Sequence, residues 1–276
     1  MSSTSATTPV PLKVHSSKPS LAASLSSTLV ASALSAISSR GSFTVALSGG
    51  SIPAMLSYSN VAAAFASSGA EVSFENWHVF LADERVVAPD SPDSSLLALR
   101  TDSFLNHPDA VSPPKVYGIK DPSSSSVKEI SEDYAEMVTA ALSSFSSDRF
   151  DLVVLGMGED GHTCSLFPSH PLLTSSLSAS PPPPVVDYLT DSPKHPPSRI
   201  TLTLPTLNAS RSAVFAAAGA GKASVLSQIF TKTSHDESTS TSSCTVATGT
   251  AFPCGLVRPA DGALLWLVDD AAVSML

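Results

Sequence analysis

Acidic residues are missing from the first 70 positions, and Arg40 is the only arginine there. A serine-rich stretch without acids has the composition of a transit peptide, but such peptides are rich in arginine. Leu21, Leu25, Leu29, Ala33 and Ile37 recur at helical spacing and lead into a good strand. The expectation is a disordered tail over residues 1–18, then a helix of the fold from about Leu21 to Ser39. Cysteine is scarce: Cys164, Cys244 and Cys254 are the whole set. An odd, sparse set argues against a disulfide framework and for a reducing compartment. Neither Cys-x-x-Cys nor His-x-x-x-His spacing occurs, so no zinc site is expected. No apolar run reads as long enough to cross a membrane. An excess of basic residues is also lacking. The net charge of −9 argues against a nucleic-acid surface, although a few local cations and backbone N–H groups still suffice for a small anion.

The chain alternates between strand and helix patterns. Strands are expected at Phe43–Leu47, Trp77–Ala82, Phe150–Leu155, Arg199–Leu204, Ala213–Ala218 and Ala263–Val268. Between them lie a helix opening at Pro53 and running to about Phe65, one from Ser94 to Leu105, one capped by Ser123–Ser126, and one from Lys222 to Phe230. Pro181–Pro184 and Pro193–Pro197 read as rigid excursions. Ser234–Ser243 reads as a mobile low-complexity loop, and Asp269–Leu276 as a short terminal helix. Strands alternating with helices imply an α/β fold with a mainly parallel sheet covered on both faces. No repeat and no linker appears, so residues 19–276 are expected to form one domain. Ligands of such sheets bind beyond the carboxyl ends of the strands. That places interest on the loops after Leu47, Ala82 and Leu155.

The third loop contains Gly156, Gly158 and Gly161 in the pattern G-x-G-x-x-G. A dinucleotide site needs a helix opening at the last glycine and a second strand soon after. Here Pro168 and Pro171 limit any helix to about a turn, and Glu159 and Asp160 would face a pyrophosphate. A tight turn letting the backbone approach a small ligand fits better. His162 follows directly. A lone histidine is usually an inert core residue, but this one sits just past a strand end, and imidazole suits general-base work. Asp160 is placed to set its orientation and protonation. Ser48, Gly49, Gly50 and Ser51 before Pro53 form a turn that can gather N–H groups round a phosphate, or an ordinary strand–helix turn. Asp83, Glu84 and Arg85 end the next strand, where exposed charges are most often simply solvated. Gly219–Lys222 is not a P-loop, because residues 216 and 223 are alanine, but Lys222 can still meet a phosphate. Cys164 is weighed as a nucleophile and read as a small buried thiol.

Together these segments resemble the 6-phosphogluconolactonase family. The resemblance rests on Ala46-Leu-Ser-Gly-Gly-Ser-Ile-Pro53, Ala82-Asp-Glu-Arg-Val-Val87, the long motif Leu155 to Pro168, the segment Asp191 to Thr203, and Trp266–Asp269. They occur in the family's order and span nearly the whole chain. Resemblance implies a Rossmann-like three-layer α/β/α fold shared with glucosamine-6-phosphate deaminases. It also implies hydrolysis of 6-phospho-D-glucono-1,5-lactone, without a cofactor or metal. His162 would be the base and Asp160 its orienting partner. Ser48, Gly49, Gly50, Ser51, Arg85, Arg199 and Lys222 would hold the substrate, with Asp83 a hydroxyl contact or a support for Arg85. The expected partner is a sugar-phosphate lactone, with no nucleic acid or membrane, in a cytoplasmic chain that favours a monomer. Ile52, Ser95 and Cys164 depart from the usual Thr, Asn and Ala. The nearest alternative is the deaminase, but Phe167 stands where that family typically has Glu. A non-catalytic sugar-phosphate sensor is the alternative from another class.

Overall fold

Seven strands run parallel in the order β1 (Val10–His15), β12 (Ala263–Asp269), β9 (Ser212–Ala217), β6 (Leu152–Gly156), β2 (Phe43–Leu47), β3 (Trp77–Leu81), β5 (Lys115–Tyr117). They come from a computed structural model that describes residues 9–110, 112–145, 147–177, 183–247, 250–260 and 263–276. A hairpin, β10 (Phe230–Asp236) and β11 (Thr241–Val246), extends the sheet antiparallel beyond β1. Every residue of β2 and the first four of β6 are buried. Apolar runs of that kind need cover on both faces, which the α/β arrangement supplies. A second, small antiparallel sheet has the order β4 (Asp83–Arg85), β8 (Arg199–Leu202), β7 (Val186–Leu189).

Helix α1 spans Lys18–Arg40, from a Ser17 cap to Gly41 in the left-handed conformation. By length and composition it could cross a membrane, contrary to the sequence reading. Its apolar stripe, Leu21, Leu25, Leu29 and Ala33, is instead buried in the protein core, and it packs against β1, β2, β9, β12 and α3 (Tyr58–Ser68). That is how a core helix behaves. Helix α5 (Val127–Ser144) opens with a capping box between Ser126 and Glu129 and packs on β7 and β8. Phe43, Phe65, Phe74, Trp77 and Phe104 contact one another, mostly edge to face, beneath the N-terminal ends of β2 and β3. Each contributes about 1.5–3 kcal/mol by burial.

Several expected elements differ. Residues 10–15, assigned to a tail, form β1, and α1 begins at Lys18; residues 1–8 lie outside the described residues. Pro11 lies within this strand, and its missing N–H does no harm, because pairing with β12 starts only at Leu12. The helix at Pro53 is two helices, α2 (Ile52–Met55) and α3. Asn60 Nδ2 donates to the Met55 carbonyl (3.0 Å) and Ser57 caps α3, which ends the first and starts the second. The loop expected at Ser234–Ser243 belongs to the β10–β11 hairpin, whose turn is closed by Asp236 accepting from Ser238 and Thr239. Strands β5 and β7 were not anticipated, and half of the first proline excursion lies outside the described residues. The terminal segment forms turns rather than a helix, since Asp269 captures the Ala272 N–H.

Candidate active site

Chain order reverses between β2 and β6: β3 and β5 continue to one side of β2, while β6, β9 and β12 continue to the other. At such a switch point the loops leaving the two strands part and open a crevice. There a cavity of about 420 Å³ is lined by Ser48, Gly49, Gly50 and Ser51 after β2, by Asp83 and Arg85 of β4, and by His162, Arg199 and Lys222. Every substrate-contact candidate read from the sequence thus meets in one place. Asp160 stands just behind, on His162. A larger groove of about 790 Å³, between α1 and the β10–β11 hairpin, is rich in hydroxyl side chains and shares none of these residues.

The loop after β6 is built round the imidazole. Gly158 N donates to the His162 carbonyl (2.8 Å) and Gly161 N to the Gly158 carbonyl (3.1 Å), closing a tight turn. A Cβ on Gly158 would lie 2.0 Å from His162 Nδ1. Gly161 has φ of 79° and lies against the Phe252 ring. These glycines make room for protein side chains, and the next helix, α6 (Pro171–Ser176), starts only at Pro171. His162 Nδ1 and Asp160 Oδ1 are 2.5 Å apart. With Nδ1 engaged by a carboxylate, Nε2 carries the lone pair. Burial lowers the His162 pKa, and Lys194 adds to this against the opposing pull of Asp160 and Asp83. Burial alone would raise the Asp160 pKa, but the bond from His162 and the charge of Lys194 outweigh it and hold the carboxyl below its ordinary value. Both shifts favour a neutral imidazole beside an ionised carboxylate.

The small sheet supplies the opposite wall. In its register Asp83 faces Thr201 and Arg85 faces Arg199, and alternation puts these four on one side. Glu84, between them, points away and is buried. It accepts from the N–H groups of Arg85, Ser95 and Leu96 and from the Ser94 hydroxyl, anchoring α4 (Ser95–Asp102). Burial pushes the Glu84 pKa up against those bonds. Two guanidiniums directly opposite each other repel, and neither makes an ion pair with a carboxylate among the described residues. The Arg199 pKa is lowered by burial and then by Arg85. Ser48 Oγ and Arg85 Nε are buried without a partner among the described residues. A cavity wall with repelling cations and orphan donors is suited to an anion.

Other expectations need revision. Asp83 does not support Arg85; its Oδ2 accepts from the Ser165 hydroxyl (2.9 Å), while Thr201 Oγ1 accepts from Ser165 N (3.2 Å). Together they hold the segment after His162. Arg199 is committed to the chain itself: Nε donates to the Pro196 carbonyl, and Nη2 to those of Lys194 and His195. That clasp presents Lys194, which lines the cavity but was not singled out in the sequence because it sits among prolines. Lys222 ends a short 3₁₀ turn. Its loop is fixed by Gly219 N donating to the Asp269 carboxylate (2.9 and 3.0 Å). Burial and then Lys194 lower the Lys222 pKa, opposed by Glu159 and Asp160. Cys164 is buried, as its reading as a small buried thiol expected, and burial pushes its thiol pKa well up. Ile52 is fully buried, and Ser95 packs against Gly49, where a Cβ would come within 2.5 Å of its hydroxyl. Among the described residues no group of three or more His, Cys, Asp or Glu side chains could hold a metal.

A model of the family described as glucosamine-6-phosphate isomerases/6-phosphogluconolactonase matches residues 16–266. The 6-phosphogluconolactonase of Rattus norvegicus is 38% identical over 268 residues, covering 96% of this chain and 93% of its own. That of Bos taurus is 36% identical over 266 residues, with coverage of 96% and 93%. Among solved structures, a 6-phosphogluconolactonase from Shewanella baltica has a TM-score of 0.71 at 26% identity, covering 93% of this chain and 97% of that one.

Proposed function

The chain belongs to the glucosamine-6-phosphate isomerase/6-phosphogluconolactonase family, and within it we propose a 6-phosphogluconolactonase in which His162 is the general base. It opens 6-phospho-D-glucono-1,5-lactone to 6-phosphogluconate, the second step of the oxidative pentose phosphate pathway. The observation that carries the assignment of the base is the imidazole held by Asp160 at the rim of a cation-walled cavity.

The substrate offers two anion-seeking ends, a phosphate that is always charged and a carbonyl oxygen that becomes charged during reaction. Arg85, Arg199 and Lys222, with the Ser48–Ser51 turn, take the phosphate. This leaves the lactone carbon at His162. Nε2 removes a proton from water as its oxygen bonds to C1, and the Asp160 carboxylate stabilises the imidazolium that forms. When the tetrahedral adduct collapses, the C1–ring-oxygen bond breaks and the imidazolium returns its proton to that oxygen. Phe167, buried with its ring tilted against His162 at 4.7 Å between centroids, puts hydrocarbon rather than an additional carboxylate beside the base. This suits hydrolysis better than the acid–base opening of an amino sugar.

The test is hydrolysis of freshly generated 6-phosphogluconolactone, coupled to 6-phosphogluconate dehydrogenase, against the uncatalysed rate. Replacing His162 by Ala should cost about 100-fold or more in kcat, as removal of a general base does. No acceleration by wild type would overturn the activity; acceleration that survives His162→Ala would overturn only the base. We also propose a cytoplasmic monomer, to be checked by sedimentation and cell fractionation.

A further inference from the structure

We propose that Lys194 is a further catalytic residue, whose ammonium moves from Asp160 to the lactone carbonyl oxygen as that oxygen becomes negative. The proposal rests on the hydrolytic function proposed above. Lys194 Nζ lies 3.5 Å from Asp160 Oδ1, the same oxygen that His162 Nδ1 contacts at 2.5 Å. Ammonium and imidazole therefore share one carboxylate oxygen at the edge of one cavity. The lysine pair is the looser of the two, and its side chain is 44% exposed, so it can be exchanged for a stronger partner.

The backbone beneath it is held firmly. Ser192 Oγ donates to the Lys194 carbonyl (2.8 Å) and accepts from Lys194 N (3.2 Å). Arg199, 3% exposed, adds its bonds to the carbonyls of residues 194, 195 and 196. A buried guanidinium whose Nε and Nη2 hold one short segment fixes where the lysine stem begins, while the four-carbon stem lets the charge travel.

Several N–H groups beside the base that could hold the oxyanion are already bonded within the chain. In the histidine loop, Gly158 N is bonded to the His162 carbonyl, Gly161 N to the Gly158 carbonyl, Thr163 N to the Leu166 carbonyl, and His162 N to Asp160. Arg85 and Arg199 face each other across β4 and β8, and Glu159 packs against Gly221 in the Lys222 loop. Lys194 is the cation that shares a carboxylate with the base.

The exchange balances. Water bonds to C1 while its proton passes to His162 Nε2, and the carbonyl π pair moves onto oxygen. Lys194 donates a hydrogen bond to that oxygen without giving up its proton. Asp160, freed of the ammonium, then stabilises the imidazolium fully. Collapse restores C=O, breaks the C1–ring-oxygen bond and sends the imidazolium proton to the ring oxygen. The ammonium returns to Asp160, and the carboxylic acid product ionises to solvent.

The experiment compares wild type with Lys194→Met and Lys194→Cys, the latter before and after alkylation with 2-bromoethylamine, which rebuilds an ammonium. The native cysteines are all buried. Turnover of 6-phosphogluconolactone is measured together with competitive inhibition by glucitol 6-phosphate, which carries the phosphate and hydroxyls but no carbonyl. The expected result is a kcat lower by about 100-fold or more in both variants, an inhibition constant within threefold of wild type, and recovery on alkylation. A kcat within threefold of wild type, or a tenfold weaker inhibition constant with kcat kept, would overturn the proposal, the second result making Lys194 a phosphate anchor. Should Lys194→Met fail to fold, the alkylated and unalkylated cysteine variant decides alone. A wild type without activity would instead strike the lactonase function itself.

Discussion

Gly158→Ala should disable the base while leaving the fold largely intact. The added Cβ would sit 2.0 Å from His162 Nδ1, 2.2 Å from Cε1 and 2.4 Å from Asp160 Oδ1, where ordinary contact begins at 3.4 Å. Ring and carboxylate must therefore retreat by roughly an ångström or more. The retreat is constrained, because Phe167 backs the imidazole and Gly158 N is bonded to the His162 carbonyl. The ring can leave only by breaking its 2.5 Å bond to Asp160. A displacement of about 1 Å at a reacting group costs on the order of 100-fold, so kcat should fall by about 100-fold or more. KM should change little, since Arg85 and Lys222 are untouched. Gly158 is not among the residues with positive φ, so alanine meets no backbone strain and the overpacking should cost about 1–3 kcal/mol. Its neighbours in the pattern calibrate the result. At Gly156 the new Cβ would approach only Ile52, at 4.0 Å, and stability should hold within about 0.5 kcal/mol. At Gly161 a φ of 79° and a 2.5 Å approach to the Phe252 ring should cost about 1–3 kcal/mol. The assay is the coupled turnover, paired with denaturant unfolding. A folded Gly158→Ala protein with kcat within threefold of wild type would refute the placement of the base.

The acid limb of the pH profile of kcat/KM should have its midpoint below the ordinary imidazole value of about 6.5. Burial and then Lys194 depress the His162 pKa, and the proposed base accepts a proton only while its ring is neutral; a midpoint at 7 or above would contradict this. Arg85→Gln should raise KM about tenfold or more yet leave unfolding free energy unchanged or slightly higher, since it removes a charge facing Arg199. Arg199→Met should lower stability by about 2–4 kcal/mol, because one buried and two part-buried carbonyls lose a charged donor. Equal stability losses in the two variants, read from denaturant midpoints, would argue against this division. Asp269→Ala should free Gly219, cost about 1–3 kcal/mol and raise KM through the displaced Lys222 loop; an unchanged KM would show that the loop holds its position without Asp269.

The parts of the fold that could be read from the chain are those whose signal is local. Phe43–Leu47 and the strand before Gly156 are short apolar runs ended by glycine, and a buried parallel strand looks like that wherever it occurs. The α5 face repeats with a helical period and starts at a serine cap. The hairpin of β10 and β11 carries no such signal. Its serines and threonines look like solvated loop, and they pair because β1 offers an open edge, with Ser242 and Cys244 buried against it. Strand β1 in turn begins with Val10-Pro11, which reads as extended chain until β12 is present beside it. Each of these elements depends on a partner far away in sequence, so no window of a few residues could reveal it.

The same distinction divides the site. His162 and Asp160 are two residues apart on one loop, and their contact follows from a turn that Gly158 and Gly161 allow. The Arg85–Arg199 opposition follows from the register of two strands far apart in the chain, and the commitment of Arg199 to residues 194–196 follows from a proline-rich detour between them. Arg199 was therefore read as a substrate contact alone, when its first task is to hold the segment that carries Lys194. The two tasks are compatible only because a guanidinium has five donors in a rigid fork. Nε and Nη2 are turned to the backbone, and no partner occupies Nη1 among the described residues. A lysine at this position, with one compact charge on a flexible stem, could serve the anion or the loop but not both. The cation placed to move in this site is thus the lysine that Arg199 steadies, and the cation that must stay still is Arg199 itself.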